Sequence, residues 1–205
     1  MMKAVLASAS PRRREILEML GVDELTIIPA KGEEHAPENA GPAEIVEALA
    51  SAKAKEVAAL VSGDVPVIAA DTIVWFNGRV YGKPHSREEA VKMLSELSGN
   101  WHEVYTGVCI VRDSGTITSH ETARVRFRQM SEEEIDAYVA TGEPMDKAGA
   151  YGAQGKGSLF VDRIEGDFFC VMGLPVCRLG QMLNEQGVSL IWKIISEKTE
   201  YGWPS

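Results

Sequence analysis

The hydrophobic positions of this chain follow two alternating patterns. Short apolar or β-branched runs, typical of strands, are separated by segments whose apolar residues recur every three or four positions, as on one face of a helix. The first pattern predicts strands over residues 3–7, 65–76, 79–81, 101–112, 116–127, 159–164 and 168–172. The second predicts helices over residues 11–21, 43–61, 86–97, 131–142 and 175–185.

Turn signals join several of the predicted strands into antiparallel pairs. Asn77-Gly78 has the composition of a two-residue hairpin turn, and residues 113–115 connect two long strands. Helices scattered between such hairpins indicate an α/β fold with a mixed, partly antiparallel sheet and flanking helices, rather than a purely parallel sheet. Because no repeat or linker interrupts the pattern, we expect a single compact unit.

Composition and charge narrow the classes of partner. The chain has 205 residues, of which 45% are hydrophobic and 25% charged, and this argues against a disordered or fibrous protein. Its net charge of -9 repels nucleic-acid backbones and anionic membranes, so we expect neither as a partner. Any anionic ligand must therefore be held by a local cluster of basic residues.

Cysteine usage and hydropathy indicate the compartment. The three cysteines form no CxxC pair, which predicts neither a disulfide framework nor a zinc site and fits a reducing environment. The apolar run near the first residue is shorter than the roughly 7–15 residues of a signal peptide, and no run approaches the roughly 20 of a membrane helix. We therefore expect a cytoplasmic protein.

The start of the first predicted helix breaks a charge rule. Arginines occupy residues 12–14, although cations in a first helical turn are disfavoured by roughly 0.3–1 kcal/mol each. Pro11 fixes the helix start, and Ser8 and Ser10 offer hydroxyls in the preceding loop. The cluster is either a solvated basic turn or an anion site, and we favour the anion site because backbone amides, hydroxyls and guanidinium groups converge there.

Lys53 interrupts the apolar face of the second predicted helix. Leu49 and Val57 lie on that face, and Lys53 is four residues from each. The lysine either extends along the apolar surface with its ammonium group in water or faces an anion, and periodicity does not distinguish these alternatives.

Asp71 and Thr72 are polar residues within an otherwise apolar strand, residues 67–76. A carboxylate in such a strand costs several kcal/mol unless it is paired or binds a metal, so Asp71 is either firmly paired or functional, and we favour function. Strand alternation directs Asp71 and Thr72 to opposite faces of the sheet. If both serve one ligand, the strand must end or distort there.

Weaker signals gain meaning in combination. Glu33 in the acidic pair Glu33-Glu34 and Lys83 in Gly82-Lys83-Pro84 are each most simply solvated loop residues. Together with Asp71, the acidic residues could supply oxygen ligands to Mg²⁺, while the lysines and arginines neutralise phosphate oxygens.

Residues 149–157 form a glycine-rich segment that allows a ligand to approach the backbone closely. Gln154 within it carries an amide that can both donate to and accept from a base edge. A flexible surface loop is an equally good interpretation of the glycine content. No Walker loop is present, and the four histidines show no spacing typical of metal ligands or a catalytic triad.

In order along the chain, these residues resemble the Maf family of nucleoside triphosphate pyrophosphatases. The similarity runs over about residues 4–183. Its most specific segments are SASPRR at 8–13, ADTIV at 70–74, GKP at 82–84, LSG at 97–99 and DKAGAYGAQG at 146–155. Residues 148–155 with Arg12 and Thr72 are similar to the subgroup that acts on dTTP and UTP.

The resemblance implies a single domain over residues 1–187, with two lobes around a cleft as in the inosine triphosphatases, and a tail over 188–205. It implies hydrolysis of dTTP, UTP or modified pyrimidine nucleotides to the monophosphate and pyrophosphate, with Mg²⁺ or Mn²⁺ as cofactor and a homodimer as the assembly. Ala48, where some members carry arginine, is a departure.

The resemblance also implies roles for individual residues. Asp71 matches the general base, and the sequence does not separate that role from metal binding. Base preference is implied for Arg12, Thr72 and Gln154, and phosphate or metal binding for Ser8, Arg13, Glu33, Lys53 and Lys83, with Glu33 and Asp71 as the metal ligands.

Two other functions remain open. The older family name, septum-formation inhibitor, suggests a regulator of cell division that binds nucleotide without turnover. A phosphatase of small sugar phosphates is the other alternative, and it would release orthophosphate.

Overall fold

A seven-stranded mixed sheet forms the centre of the computed structural model, which describes residues 2–190. Its strands are β1 (Lys3–Leu6), β2 (Glu24–Ile27), β3 (Val67–Phe76), β4 (Arg79–Tyr81), β5 (Trp101–Arg112), β6 (Gly115–Phe127) and β7 (Val161–Gly166). They are ordered β2-β1-β3-β5-β6-β7, with β4 paired to β3. β1 is parallel to both of its neighbours and the remaining pairs are antiparallel, which confirms the predicted α/β fold.

Six helices accompany the sheet in the described part of the chain. They are α1 (Pro11–Met19), α2 (Pro42–Ala58), α3 (Arg87–Leu97), α4 (Glu132–Ala140), α5 (Phe168–Met172) and α6 (Val176–Glu185). Side chains cap two of these helices: the Ser86 hydroxyl accepts from the Glu89 amide, and Ser131 forms a capping box with Glu134. None of these helices has the length and apolar character needed to cross a bilayer.

Two elements differ from the sequence prediction. Residues 168–172, predicted as a strand, form helix α5, because a short apolar run does not distinguish the two structures and local caps decide. The Asp167 carboxylate accepts from the Phe169 amide at 2.8 Å, and Gly173 ends the helix with a φ of 98°.

The other difference is β2, a short edge strand that the hydrophobic pattern did not reveal because its residues are largely exposed. Strand β7, predicted over residues 159–164, begins at Val161 because residues 156–160 form a 3-10 turn. Most of the predicted tail, residues 191–205, lies outside the described residues.

The core packing assigns each face of β3 to different helices. Residues 67 and 69 belong to a buried cluster with α2, whereas residues 68 and 70 belong to one with α1 and α6. By alternation, Asp71 points to the α2 side and Thr72 to the α1 side. A further cluster joins α3, α4 and the glycine-rich segment to β5 and β6.

A gap lies beside the middle of β3. β1 pairs with Val67 and Ile68 and then ends at Leu6, whereas β4 begins its pairing at Val74. Among the described strands, none pairs with residues 69–73 on that side. The loop of residues 7–10 and the start of α1 follow the end of β1 here, so both faces of β3 are reachable around one edge.

Gly107 allows α2 to lie directly against β5. It is paired in register with Asp71, and a Cβ atom there would lie 2.3 Å from the Val46 carbonyl oxygen and 2.4 Å from the Val46 carbonyl carbon. Both are backbone atoms of α2, which cannot move aside without moving the helix.

We expect Gly107→Ala to lower the free energy of unfolding by about 2 kcal/mol or more, because the added methyl group forces α2 off the sheet. Gly180→Ala is the matched control. A Cβ at Gly180, within α6, meets nothing within 4 Å, so the same substitution should stabilise the protein by about 0.5–1 kcal/mol. Urea unfolding followed by circular dichroism measures both, and equal effects of the two variants would contradict the close contact.

Candidate active site

Asp71 is paired with a lysine from the facing helix. The Lys53 ammonium contacts Asp71 Oδ1, and it also lies 2.8 Å from Glu34 Oε1. The side chains of Lys53 and Asp71 are only 17% and 11% exposed, whereas that of Glu34 is 56% exposed. Lys53 therefore faces an anion, and the pair lies where the α2 side of β3 meets solvent.

Arg13 forms a second charged cluster, on the opposite face of β3. Its Nε donates to the Gly173 carbonyl at 2.8 Å, its Nη1 to Ser8 Oγ at 3.0 Å, and its Nη2 to Thr72 Oγ1 at 3.1 Å. Burial lowers the pKa of Arg13, and the nearby Asp71 carboxylate opposes that shift. Three of the five guanidinium N–H groups are thus held by the chain, which leaves two for an anion.

The two clusters act on each other around the edge of β3. The charge of Arg13 interacts with those of both Asp71 and Glu34. β3 neither ends nor bulges at residues 71 and 72, since its register with β5 is regular from Val67 to Trp75. The expected end or distortion of β3 is therefore not observed. Instead the neighbouring strand β1 ends at Leu6, which leaves residues 71 and 72 beside the gap.

Arg12 lies on the same helical turn but faces another part of the protein. It is half-buried, and its charge interacts with Asp146 and Tyr138, which belong to the segment around α4. Arg14 is exposed and forms an ion pair with Glu18 at 2.7 Å. The three arginines therefore have different surroundings, and only Arg14 corresponds to the simple solvated turn.

Lys83 and Gln154 are both exposed, and the segments that carry them meet beside the β3–β4 hairpin. Lys83 follows β4, where the Gly82 carbonyl accepts from the Gly149 amide at 3.1 Å. A Cβ atom on Gly149 would lie 2.7 Å from the Val74 side chain, so the glycine-rich segment passes close to β3. The structure gives neither Lys83 nor Gln154 a direct contact with Asp71.

The glycine-rich segment is anchored by a carboxylate that sequence reasoning missed. Glu143 Oε1 accepts from the Tyr138 hydroxyl at 2.9 Å and the Gly157 amide at 3.2 Å, and Oε2 accepts from the Lys156 amide at 3.0 Å. A Cβ on Gly155 would lie 2.4 Å from Glu143 Oε1, which explains a glycine there. The segment is therefore held in place, contrary to the flexible-loop interpretation.

Tyr151 fixes the middle of the same segment. Its hydroxyl lies 2.9 Å from His102 Nε2, and the two rings pack edge to face with Phe127. Burial lowers the pKa of His102 to about 3, so this histidine is neutral and packs in the core.

The acidic residues fit Mg²⁺ only in part. Glu33 is exposed and lies 3.4 Å from His35 Nε2, whereas its neighbour Glu34 meets Asp71 at the Lys53 ammonium. Within residues 2–190, no cluster of three or more His, Cys, Asp or Glu side chains could hold a metal. Two carboxylates nevertheless fit Mg²⁺, which is usually bound by one or two carboxylates together with water and substrate phosphates. Glu33 as a metal ligand stays a prediction.

Two surface cavities lie elsewhere. One, of about 280 Å³, is lined by residues such as Trp75, Trp101 and Arg124, and another, of about 440 Å³, by residues including Asp64 and Arg112. None of the predicted site residues lines either cavity. The candidate site is therefore identified by the convergence of charged groups.

Comparison with known proteins yields both sequence and structural matches. A family model described as Maf-like protein matches residues 3–186. A protein named dTTP/UTP pyrophosphatase from Bacillus anthracis (strain CDC 684 / NRRL 3495) is 48% identical over 190 residues, which cover 93% of this chain and 98% of that protein. One with the same name from Bacillus thuringiensis subsp. konkukian (strain 97-27) is 49% identical with the same coverage. A solved HAM1 protein from Coxiella burnetii matches 90% of this chain and 100% of its own, with 18% identity and a TM-score of 0.48.

We expect the anchoring carboxylate to make stability depend on pH. Partial burial opposes the effect, but the Lys156 and Gly157 amides and the Tyr138 hydroxyl together hold the pKa of Glu143 below its ordinary value of 4.5. Its stabilisation is therefore complete above that value and is lost as the pH falls through the folded-state pKa.

Between pH 7 and pH 3.5, wild type should thus lose more unfolding free energy than Glu143→Gln. Urea titrations at several pH values measure this, with Glu38→Gln, which removes an exposed loop carboxylate, as the control for charge. Parallel pH curves for wild type and Glu143→Gln would exclude the anchoring role.

Proposed function

We propose that this chain, which belongs to the Maf family, hydrolyses dTTP and UTP to the nucleoside monophosphate and pyrophosphate. The family model covers residues 3–186, and relatives named dTTP/UTP pyrophosphatase share nearly half of the sequence. The structural observation that carries the proposal is the meeting of the Asp71–Lys53 pair and Arg13 at the open edge of β3. A regulator without turnover is not favoured, because the relatives are named as enzymes.

The charge arrangement suits the cleavage of a phosphoanhydride. Such a reaction needs positioning and neutralisation of phosphate oxygens more than a covalent intermediate. The two remaining N–H donors of Arg13 and the ammonium group of Lys53 are cations that phosphate oxygens can reach from one edge. The triphosphate would thus lie along the gap between β1 and β4.

Water is the nucleophile in this proposal, and Asp71 receives its proton. As the water oxygen bonds to the α-phosphorus, the bond to the bridging oxygen breaks and pyrophosphate leaves. In the ligand-free protein the Lys53 ammonium is paired with Asp71 Oδ1. A bound phosphate would compete for that ammonium, and Asp71 Oδ1 would then be free to accept the proton. Asp71 and Glu34 would hold Mg²⁺, which supplies further neutralisation of phosphate charge.

We propose that the base is selected on the other side of the gap. Arg12, on α1, faces the half of the chain that contains α4. The glycine-rich segment with Gln154 belongs to that half, and Lys83 follows β4 of the neighbouring hairpin. The Gln154 amide has both a donor and an acceptor, which match the alternating imide edge of uracil and thymine. The two halves would then form the lobes of the predicted single domain. Homodimerisation and a cytoplasmic location stay predictions.

We expect Asp71→Asn to fold and to lose at least about 99% of pyrophosphate release from dTTP and UTP, because the amide cannot accept the proton from water. Asp64→Asn is a matched control, since Asp64 pairs with Arg112 away from the site and its replacement should keep activity. Pyrophosphate and orthophosphate are measured separately over a panel of nucleoside triphosphates. Full activity of Asp71→Asn, or release of orthophosphate by wild type, would refute the proposed reaction.

Metal dependence distinguishes the two adjacent glutamates. We expect chelation to abolish pyrophosphate release and Mg²⁺ to restore it. Glu34→Gln should raise the Mg²⁺ concentration for half-maximal activity about tenfold, whereas Glu33→Gln should leave it nearly unchanged, because Glu34 shares Lys53 with Asp71. The reverse ranking would assign the metal to Glu33, as the resemblance implied.

A further inference from the structure

A buried threonine on β5 completes a chain of hydrogen bonds that ends at Arg13. Thr106 is fully buried and lies directly opposite Thr72 in the register of β3 and β5. The two hydroxyl oxygens are 2.9 Å apart, and Thr106 Oγ1 is 2.8 Å from the Cys170 carbonyl oxygen. Arg13 Nη2 donates to the other end of the chain, at Thr72 Oγ1.

The donors and acceptors at the two ends fix the direction of every bond in this chain. A carbonyl oxygen only accepts, so the single proton of the Thr106 hydroxyl points to Cys170. Thr106 can then only accept from Thr72, which directs the Thr72 proton away from Arg13. A guanidinium only donates, and the Thr72 oxygen therefore meets Arg13 with a lone pair.

Helix α5 contributes two carbonyls to this arrangement. The Cys170 carbonyl receives the Thr106 proton, and the carbonyl of Gly173, at the end of the helix, accepts from Arg13 Nε. Gly173 has a left-handed φ of 98°, and a Cβ there would lie 3.2 Å from Thr72 Oγ1. The end of α5 is thus packed against both polar groups, and Arg13 is oriented before any ligand binds.

We propose that Thr106 is a positioning residue for phosphate binding, which sets the polarity of the Thr72 hydroxyl and through it the orientation of the Arg13 guanidinium. The inference rests on the proposed function in so far as Arg13 binds the triphosphate. Without the Thr106 hydroxyl, the Thr72 proton has no acceptor on that side, and its rotation toward Arg13 would set two donors against each other. Such a loss acts on binding of the anion and needs no contact between Thr106 and the substrate.

Thr106→Val removes the hydroxyl at nearly constant volume, and Thr106→Ser retains it. We expect Thr106→Val to raise both the KM for dTTP and the Kd for pyrophosphate, measured by calorimetry, by about tenfold, the size of one hydrogen bond to a charged group. kcat should change less than KM, and Thr106→Ser should stay within about twofold of wild type. Thr118→Val is the matched control, because Thr118 donates to Cys109 Sγ on another part of the sheet.

A double variant tests whether Thr106 acts on pyrophosphate binding through Thr72. Thr72→Val removes the acceptor for Arg13, so adding Thr106→Val to it should raise Kd no further. Additive effects would overturn the inference, as would an unchanged Kd for folded Thr106→Val, or a failure of wild type to bind pyrophosphate. If wild type binds pyrophosphate but releases none from any nucleotide, the proposed reaction fails, while the Kd values still decide the role of Thr106.

Discussion

The largely buried Asp71–Lys53 ion pair is the interaction to which the rest of the site is fitted. A carboxylate within an apolar strand is tolerable only beside a compensating charge, and here that charge comes from a helix packed on the same face. For the lysine to reach it, α2 must lie close to the sheet, and the bare backbone of Gly107 permits this approach. Without Lys53 the Asp71 carboxylate would lose its direct ion pair, whereas without Asp71 the Lys53 ammonium would keep Glu34. Packing and chemistry are therefore coupled at this point of the fold.

The strand arrangement explains how cations from distant parts of the sequence meet at one place. Parallel pairing of β1 with β3 sends the chain into a loop and helix beside the carboxyl end of β1, where α/β sheets commonly bind ligands. Arg13 arrives by this route, and Lys53 arrives from the opposite face. The early end of β1 lets their charges act on one ligand although the sheet separates the two side chains.

Residues that break a local rule could be recognised from the sequence, and residues that obey every rule could not. Asp71 in an apolar strand, Lys53 on an apolar helix face and arginines in a first helical turn are each unfavourable in isolation, and all three take part in the charged clusters. Thr106 and Glu143 break no such rule. The partners of Thr106 are 34 or more residues away, and those of Glu143 include the Lys156 amide, in a turn that tertiary packing forms. Helix α5 was missed for the related reason that its sequence suits either structure and its caps decide.

The short strand β4 determines how much room the open edge offers. Within residues 2–190, no strand pairs with residues 69–73 on one side, and these residues span roughly 16 Å at the rise of an extended chain. If the hairpin extended its pairing by two residues, this window would shrink by roughly 7 Å and β4 would cover the backbone beside Thr72. The length of the β3–β4 hairpin, whose Asn77-Gly78 turn is remote from any reacting group, therefore limits the size of the molecule that can enter at this edge.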